Sequence, residues 1–129
     1  VRLLILAALV GYSFAAVALY PAIVGQKVHL FIEGAHTWER TVKGGKVQTI
    51  SYCSHTEGNV NCGNWIDEDG IPVAEGAHVS KSGKLTIYKV SFADAGAYTS
   101  PDDKPKVTQH GDGSISMLAP TMYKLLVRE

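Results

Sequence analysis

Beyond residue 18 the chain shows no helical periodicity, and its β-branched and aromatic residues recur instead in short runs. Turn-forming pairs separate these runs, among them Gly44-Gly45, Asp69-Gly70 and Ser82-Gly83. About seven short strands joined by tight turns can bury their apolar faces only as a sandwich or a barrel. The pattern therefore predicts an all-β fold with strands at 26–33, 36–42, 46–54, 60–67, 84–89, 97–100 and 121–128.

Residues 1–18 have the layout of a secretory signal peptide. Arg2 precedes an apolar run from Leu3 to Ala18, which is shorter than the roughly 20 residues of a membrane-spanning helix. Ala16 and Ala18 are the small side chains that signal peptidase accepts. We therefore predict a signal peptide at 1–18, one domain at 19–129, and secretion to the extracellular space.

The charge balance limits the kinds of partner. Lys plus Arg and Asp plus Glu number 12 each, which provides no electrostatic footprint for nucleic acid or for an acidic membrane surface. No second apolar run of spanning length follows the first. We therefore expect no nucleic acid partner and no membrane anchor. We expect instead a partner that is recognised by shape and local chemistry.

One stretch of sequence indicates which kind of all-β fold the chain adopts. The run Leu85-Thr86-Ile87-x-x-Val90-x-x-x-Asp94-Ala95-Gly96-x-Tyr98 resembles the passage from strand E to strand F of immunoglobulin domains. In that resemblance Leu85 and Ile87 point into the core, Gly96 permits the turn, and Tyr98 forms the tyrosine corner. The resemblance implies an immunoglobulin-like antiparallel β-sandwich.

The segment from Gly25 to Ile32 resembles strand B of a V-set domain, and Trp38 resembles the core tryptophan of strand C. In this register Ile32 and Ser100 occupy the positions of the two cysteines that join the sheets in most immunoglobulin domains. We expect these two side chains to face each other across the core without a covalent link. The arrangement is similar to the membrane-distal domains of lymphocyte adhesion receptors, which also lack that bridge.

A second register stays open at the level of sequence. Cys53, followed by Trp65 and by an acidic turn at 67–70, resembles the B to C region of an I-set domain. That register leaves the strand-like segment 24–32 without a place, and it puts Thr49 and Ser51 in the core. The V-set register is therefore preferred.

The two cysteines, Cys53 and Cys62, flank a predicted hairpin turn. Cross-strand positions in a hairpin lie close enough for a disulfide, and a bridge is expected in a secreted chain with only two cysteines. The alternative is a zinc site that adds His55, but no fourth ligand is evident in the sequence. We therefore predict a local Cys53–Cys62 disulfide and no metal or other cofactor.

Two clusters contain residue types that carry chemistry in other proteins. The run His110-Gly111-Asp112-Gly113-Ser114 has the residues of a hydrolase triad, but neighbours in sequence cannot adopt triad geometry. The acidic turn at 67–70 lacks the ligand spacing of a helix-loop-helix calcium site. The sequence therefore favours binding over catalysis.

The resemblance implies a secreted recognition module that binds an extracellular protein or a second copy of itself, with a weak homodimer as one form. The alternation of side chains along a strand then indicates which sheet face binds the partner. If Trp38, Tyr98 and Leu125 point into the core, their neighbours in sequence point outward. The predicted partner-binding residues are Glu39, Thr99, Met122, Lys124 and Leu126.

An alternative function is a carrier of a small ligand or lipid, with the ligand held inside the sandwich. Such a carrier needs a lined cavity of several hundred cubic ångströms, whereas the core of a sandwich is normally filled.

Overall fold

The structure, a computed structural model, describes residues 16–53, 63–104, 106–118 and 120–129. Twelve strands and one short 3₁₀ turn, η1 (Phe92–Asp94), make up the described elements. The strands are β1 (Ala16–Ile23), β2 (Val28–Phe31), β3 (Thr37–Val42), β4 (Lys46–Ser51), β5 (Trp65–Ile66), β6 (Pro72–Ala74), β7 (Ala77–Val79), β8 (Lys84–Ile87), β9 (Gly96–Thr99), β10 (Lys106–Gln109), β11 (Ile115–Leu118) and β12 (Thr121–Arg128).

The strands form two main sheets and a separate hairpin. A seven-stranded sheet has the order β1-β12-β9-β3-β4-β5-β6, and a three-stranded sheet has the order β2-β8-β7. Strands β10 and β11 pair only with each other among the described residues. β1 runs parallel to β12, while the other pairs are antiparallel.

Alternation along each strand builds the core between the two sheets. On β2, Val28 and Leu30 are buried while His29 and Phe31 are exposed, as expected of a strand with one face on the core. The largest fully buried side chains come from both sheets: Trp38, Trp65, Tyr98, Leu30, Ile50, Leu85, Leu125, Val28, Val79 and Val90. The predicted all-β immunoglobulin-like sandwich is confirmed.

The topology agrees with the V-set register. Strand β2 pairs with β8 in the three-stranded sheet, while Trp38 lies on β3 in the seven-stranded sheet. The alternative I-set register is wrong, because it needs the strands near Cys53 and Trp65 to face each other from different sheets. Instead β4 and β5 are hydrogen-bonded neighbours within one sheet.

The predicted strands differ from the observed ones mainly at the edges. The strand expected at 46–54 ends at Ser51, and of the strand expected at 60–67 the described part is only Trp65–Ile66. β1, β6, β7, β10 and β11 were not among the predicted strands. β1 has eight residues, of which the first three fall in the predicted signal peptide. The other four have only three or four residues, which is too few for alternation to stand out from loop sequence.

The E to F motif leads from β8 of the three-stranded sheet through η1 into β9, an interior strand of the seven-stranded sheet. The hydroxyl of Tyr98 donates to the carbonyl oxygen of Asp94 at 2.5 Å, and the ring is fully buried. Gly96 lies where β9 approaches β3 closely, because a Cβ there would be 2.2 Å from the carbonyl oxygen of Thr41. A glycine is therefore required by backbone contact at this position.

Candidate binding face of the seven-stranded sheet

The five residues predicted to bind a partner lie on the outer face of the seven-stranded sheet. Glu39 on β3 is paired with Thr99 on β9. On β12, Met122 is the residue before Tyr123, which is paired with Tyr98 on β9. Glu39, Thr99 and Met122 are partly buried and lie in one row. The structure therefore brings these three side chains together.

Lys124 and Leu126 lie further along the same face. Lys124 is paired with Ala97 on β9, and Leu126 lies beyond the last β9 pair, beside Pro21 of β1. The side chain of Leu126 is 43% exposed. Leu126 is therefore on the predicted face, but one outward row, that of Thr41, Ala97 and Lys124, lies between it and the row of Glu39.

Strand β1 adds apolar side chains that the sequence analysis did not assign to the face. Val17 is the β1 partner of Met122, and Leu19 is the partner of Lys124. These two side chains are 56% and 65% exposed. The alternation of Val17 and Leu19 is visible in the sequence, but their place beside β12 depends on a parallel pairing between the two ends of the chain.

The centre of the outer face is rich in hydroxyl groups. Thr41, Thr49 and Ser51 share the parity of Glu39 on neighbouring strands, and the hydroxyls of Thr37 and Ser51 are hydrogen-bonded at 3.2 Å. Together with the exposed residues of β1 and β12, these groups form what we call the outer face: Val17, Leu19, Thr37, Glu39, Thr41, Thr49, Ser51, Thr99, Met122, Lys124 and Leu126. Glu39 and Lys124 are its charged members.

The β10–β11 hairpin rises from one end of this sheet, and two aspartates hold its base. Oδ2 of Asp102 accepts hydrogen bonds from the backbone N–H groups of His36 and Thr37, each at 2.9 Å. Oδ2 of Asp103 accepts from the N–H of Thr121 at 2.7 Å. The hairpin is therefore tied to the start of β3 and to the start of β12.

Ser100, at a position that holds a cysteine in most immunoglobulin domains, takes part in the same network. Its buried hydroxyl donates to the carbonyl oxygen of Thr37 at 2.6 Å and accepts from the N–H of Asp102 at 3.1 Å. Ile32, at the other cysteine position, is also buried. Hydrogen bonds and apolar packing thus occupy the place of the inter-sheet bridge.

At the other end of β3 lies a buried charge, Arg40, which was not among the residues predicted from the sequence. Arg40 has the inward parity of Trp38, and its side chain is 2% exposed. Its Nη1 donates to Asp94 at 2.8 Å and to the hydroxyl of Tyr98 at 3.0 Å, and its Nε donates to Gln48 at 2.8 Å. The guanidinium also lies 4.1 Å above the ring of Trp65. Burial raises the pKa of Tyr98 to about 12, against an opposing effect of the Arg40 charge.

The remaining candidate sites have structural roles in the described residues. Oδ1 of Asp67 accepts from the N–H groups of Asp69 and Ile71, so the acidic segment forms a turn closed by its own carboxylate. Oδ1 of Asp112 likewise accepts from the hydroxyl and N–H of Ser114, and these hydrogen bonds lower the pKa of Asp112. Each of these two carboxylates therefore closes the turn in which it lies.

The cysteine prediction lies partly outside the described residues, because Cys62 and His55 both belong to the segment 54–62. Cys53 is not a free thiol. The Cys53–Cys62 disulfide stays a prediction.

Residues 16–18, which the predicted signal cleavage would remove, form the start of β1, and 1–15 lie outside the described residues. The boundary at Ala18 also stays a prediction. Within the part of the chain that the structure describes, no helix is long and apolar enough to cross a membrane.

No family model and no curated protein matches the chain. Among solved structures, it is similar to the extracellular fragment of novel immune-type receptor 10 from Ictalurus punctatus, with a TM-score of 0.53 and 14% identity over 88% of this chain and 99% of that one. It is also similar to the extracellular portion of mouse CD200RLa, with a TM-score of 0.45 and 16% identity, and spans 85% of its own length and 55% of that chain. The strand order and the first of these similarities agree, and the chain is an immunoglobulin-like β-sandwich of V-set type in its fold.

Proposed function

We propose that this protein is a secreted recognition module that binds an extracellular protein, or a second copy of itself, through the outer face. The observation that carries the proposal is the exposure of Leu19 on β1 and Leu126 on β12, which are adjacent strands of a sheet face with few charges. Interfaces are depleted of charge at their centres and use apolar anchors surrounded by a polar rim.

The composition of the outer face supports this role. Threonine and serine hydroxyls line its centre, where they can donate or accept hydrogen bonds to a partner's backbone. Glu39 and Lys124 stand on separate rows of the face and carry opposite charges. Two copies placed face to face about a two-fold axis can pair Glu39 of one copy with Lys124 of the other.

The proposal includes removal of residues 1–18 on export. In the secreted form Leu19 would then be the first residue, and Leu19, Met122 and Leu126 would remain as apolar anchors. An intact-mass measurement of the secreted protein tests this step. A mature mass that retains Arg2 would contradict both the cleavage and the secreted localisation.

We further propose binding without catalysis. The side chains with the residue types of a hydrolase triad lie in one tight turn, where Asp112 is engaged by Ser114 and the His110 carbonyl accepts the N–H of Gly113 at 3.1 Å. These contacts use the groups to close the turn.

The test compares the charge-introducing variants Leu126→Asp and Met122→Asp with the parent protein. We expect each variant to weaken self-association in ultracentrifugation, or capture of an extracellular partner, by about 1 to 2 kcal/mol, because a buried apolar anchor is replaced by a charge. His29→Asp on the exposed side of the three-stranded sheet is the matched control. Folded Leu126 and Met122 variants that associate and capture as well as the parent would remove the outer face from consideration.

A further inference from the structure

A second surface, distinct from the outer face, lies at the opposite end of β3 from the β10–β11 hairpin. There the β3–β4 turn, β6 and η1 enclose an open cleft of about 570 Å³. This volume is within the usual range for sites that bind small molecules. The residues that carry the argument are Arg40, Lys43, Lys46, Val73, Phe92 and Ala93.

The walls of the cleft are apolar and exposed. Phe92 on η1 is 55% exposed and Val73 on β6 is 46% exposed. Val42, Ala74 and Ala93 extend the same lining. These side chains gain free energy if a ligand with a hydrocarbon part removes them from water.

The polar groups of the cleft are cationic. Lys43 lies on the β3–β4 turn and Lys46 begins β4, and both side chains are exposed. Arg40 contributes to the wall from within the core. The lining includes no carboxylate, and the charge of Arg40 is paired with that of Asp94, so Lys43 and Lys46 make the cleft complementary to an anion.

Arg40 is the buried residue in the wall of this cleft. The hydrogen bonds of its guanidinium to Gln48, Asp94 and Tyr98 use Nε and Nη1, and its side chain is 2% exposed. Nη2 takes part in none of these bonds, and it carries two further N–H donors. Arg40 is one of the residues that line the cleft, and a guanidinium whose Nη2 is not used by these partners can donate to a carboxylate.

An adjoining cleft of about 560 Å³ has the opposite character. It shares Lys46, Gln48 and Val73 with the first cleft, and it is also lined by Asp67, Glu68 and Asp69. A second negative charge on a ligand would meet these acidic residues. A singly charged anion is therefore favoured over a dianion.

We propose that the cleft beside η1 binds an amphipathic monocarboxylate of the kind of a medium-chain fatty acid. Its carboxylate lies against Arg40, Lys43 and Lys46, and its hydrocarbon tail lies against Val73 and Phe92. This site is separate from the outer face, because Arg40, Lys46 and Gln48 have the inward parity of Trp38.

The experiment titrates the secreted protein with sodium laurate, below the concentration at which laurate forms micelles, by calorimetry. We expect saturable binding of one laurate for each chain. Shorter saturated carboxylates should bind more weakly, by about twofold to fourfold for each methylene lost from the buried tail. Dodecyltrimethylammonium, which has the same tail and a positive charge, should bind at least tenfold more weakly than laurate.

Variants of exposed residues test the assigned contacts without disturbing the core. Lys43→Glu combined with Lys46→Glu should weaken laurate binding about tenfold, since two favourable charges become repulsive. Phe92→Asp should weaken it to a similar extent by removing an apolar wall. Leu126→Asp, on the outer face, should leave laurate binding unchanged, which separates this proposal from the recognition role.

Equal affinity for laurate and for dodecyltrimethylammonium would overturn the proposal, because the cations would then have no role. The proposal would also be overturned if the folded Lys43→Glu/Lys46→Glu and Phe92→Asp variants bound laurate with the parent's affinity. Failure of the parent protein to bind laurate would have the same consequence.

Discussion

The two ends of β3 are stabilised in different ways. At its start, Ser100 and Asp102 join strands through neutral and charge-assisted hydrogen bonds to the backbone of His36 and Thr37. In the second half of β3, Arg40 forms a buried ion pair with Asp94. The comparison shows that a domain without cysteines at the usual bridge positions can use backbone hydrogen bonds at one end and a buried charge at the other.

The difference predicts unequal sensitivity to mutation. A buried charge that loses its partner costs much more than a lost neutral hydrogen bond, because the charge cannot be solvated by water. We therefore expect the Arg40 end to be the less tolerant of the two.

The largest effect should follow from Asp94→Ala, which leaves Arg40 buried without its ion-pair partner. We expect the free energy of unfolding to fall by about 3 to 5 kcal/mol, measured by urea denaturation. Glu68→Ala, in an exposed turn, is the matched control and should change stability little. A combined Arg40→Met and Asp94→Leu change should recover most of the loss, since no unpaired charge is then buried.

A loss of about 2 to 3 kcal/mol is expected from alkaline pH through Tyr98. Its pKa is raised to about 12 in the folded protein, against about 10 in the unfolded chain, so the unfolded state releases this proton first. The contribution is fully present below pH 10 and is lost as the pH rises to 12. Unfolding measured across this range in the parent and in Tyr98→Phe should show the steeper decline in the parent, and parallel curves would contradict the assignment.

At the other end, Ser100→Ala should cost about 1 to 2 kcal/mol, because the change leaves the Thr37 carbonyl and the Asp102 N–H without their hydroxyl partner. Ser82→Ala, at an exposed turn, is the control. A cost for Ser100→Ala as large as that for Asp94→Ala would contradict the proposed difference between the two ends.

The smallest effect on folding should come from Leu126→Asp on the outer face. We expect the free energy of unfolding to change by no more than about 0.5 kcal/mol, because the side chain is already 43% exposed. A large loss of stability would mean that Leu126 packs as a core residue, which would weaken its assignment as a binding anchor.

Much of the predicted site followed from strand parity. Trp38, Tyr98 and Leu125 are buried as expected, and this alone directs Glu39, Thr99 and Lys124 to the opposite face of their strands. Parity is a property of consecutive residues, so it can be read without knowing which strands are neighbours.

The same rule would have placed Arg40 inward beside Trp38, yet an arginine between polar neighbours was not recognised as a core residue. Its burial depends on Asp94 and Gln48, which are distant in sequence from one another. Charged residues are rarely buried unless such partners are present, and alternation does not identify the partners.

The sequence by itself determined the all-β class, the inward and outward positions on the longer strands, and the E to F motif, because periodicity and turn chemistry are local. The tertiary structure alone decided that β1 lies parallel to β12, which puts Val17 and Leu19 beside Met122 and Lys124. It also decided that Arg40, Lys43 and Phe92 meet at one cleft. These contacts join segments far apart in the chain, and their free energy arises only when the two sheets have packed.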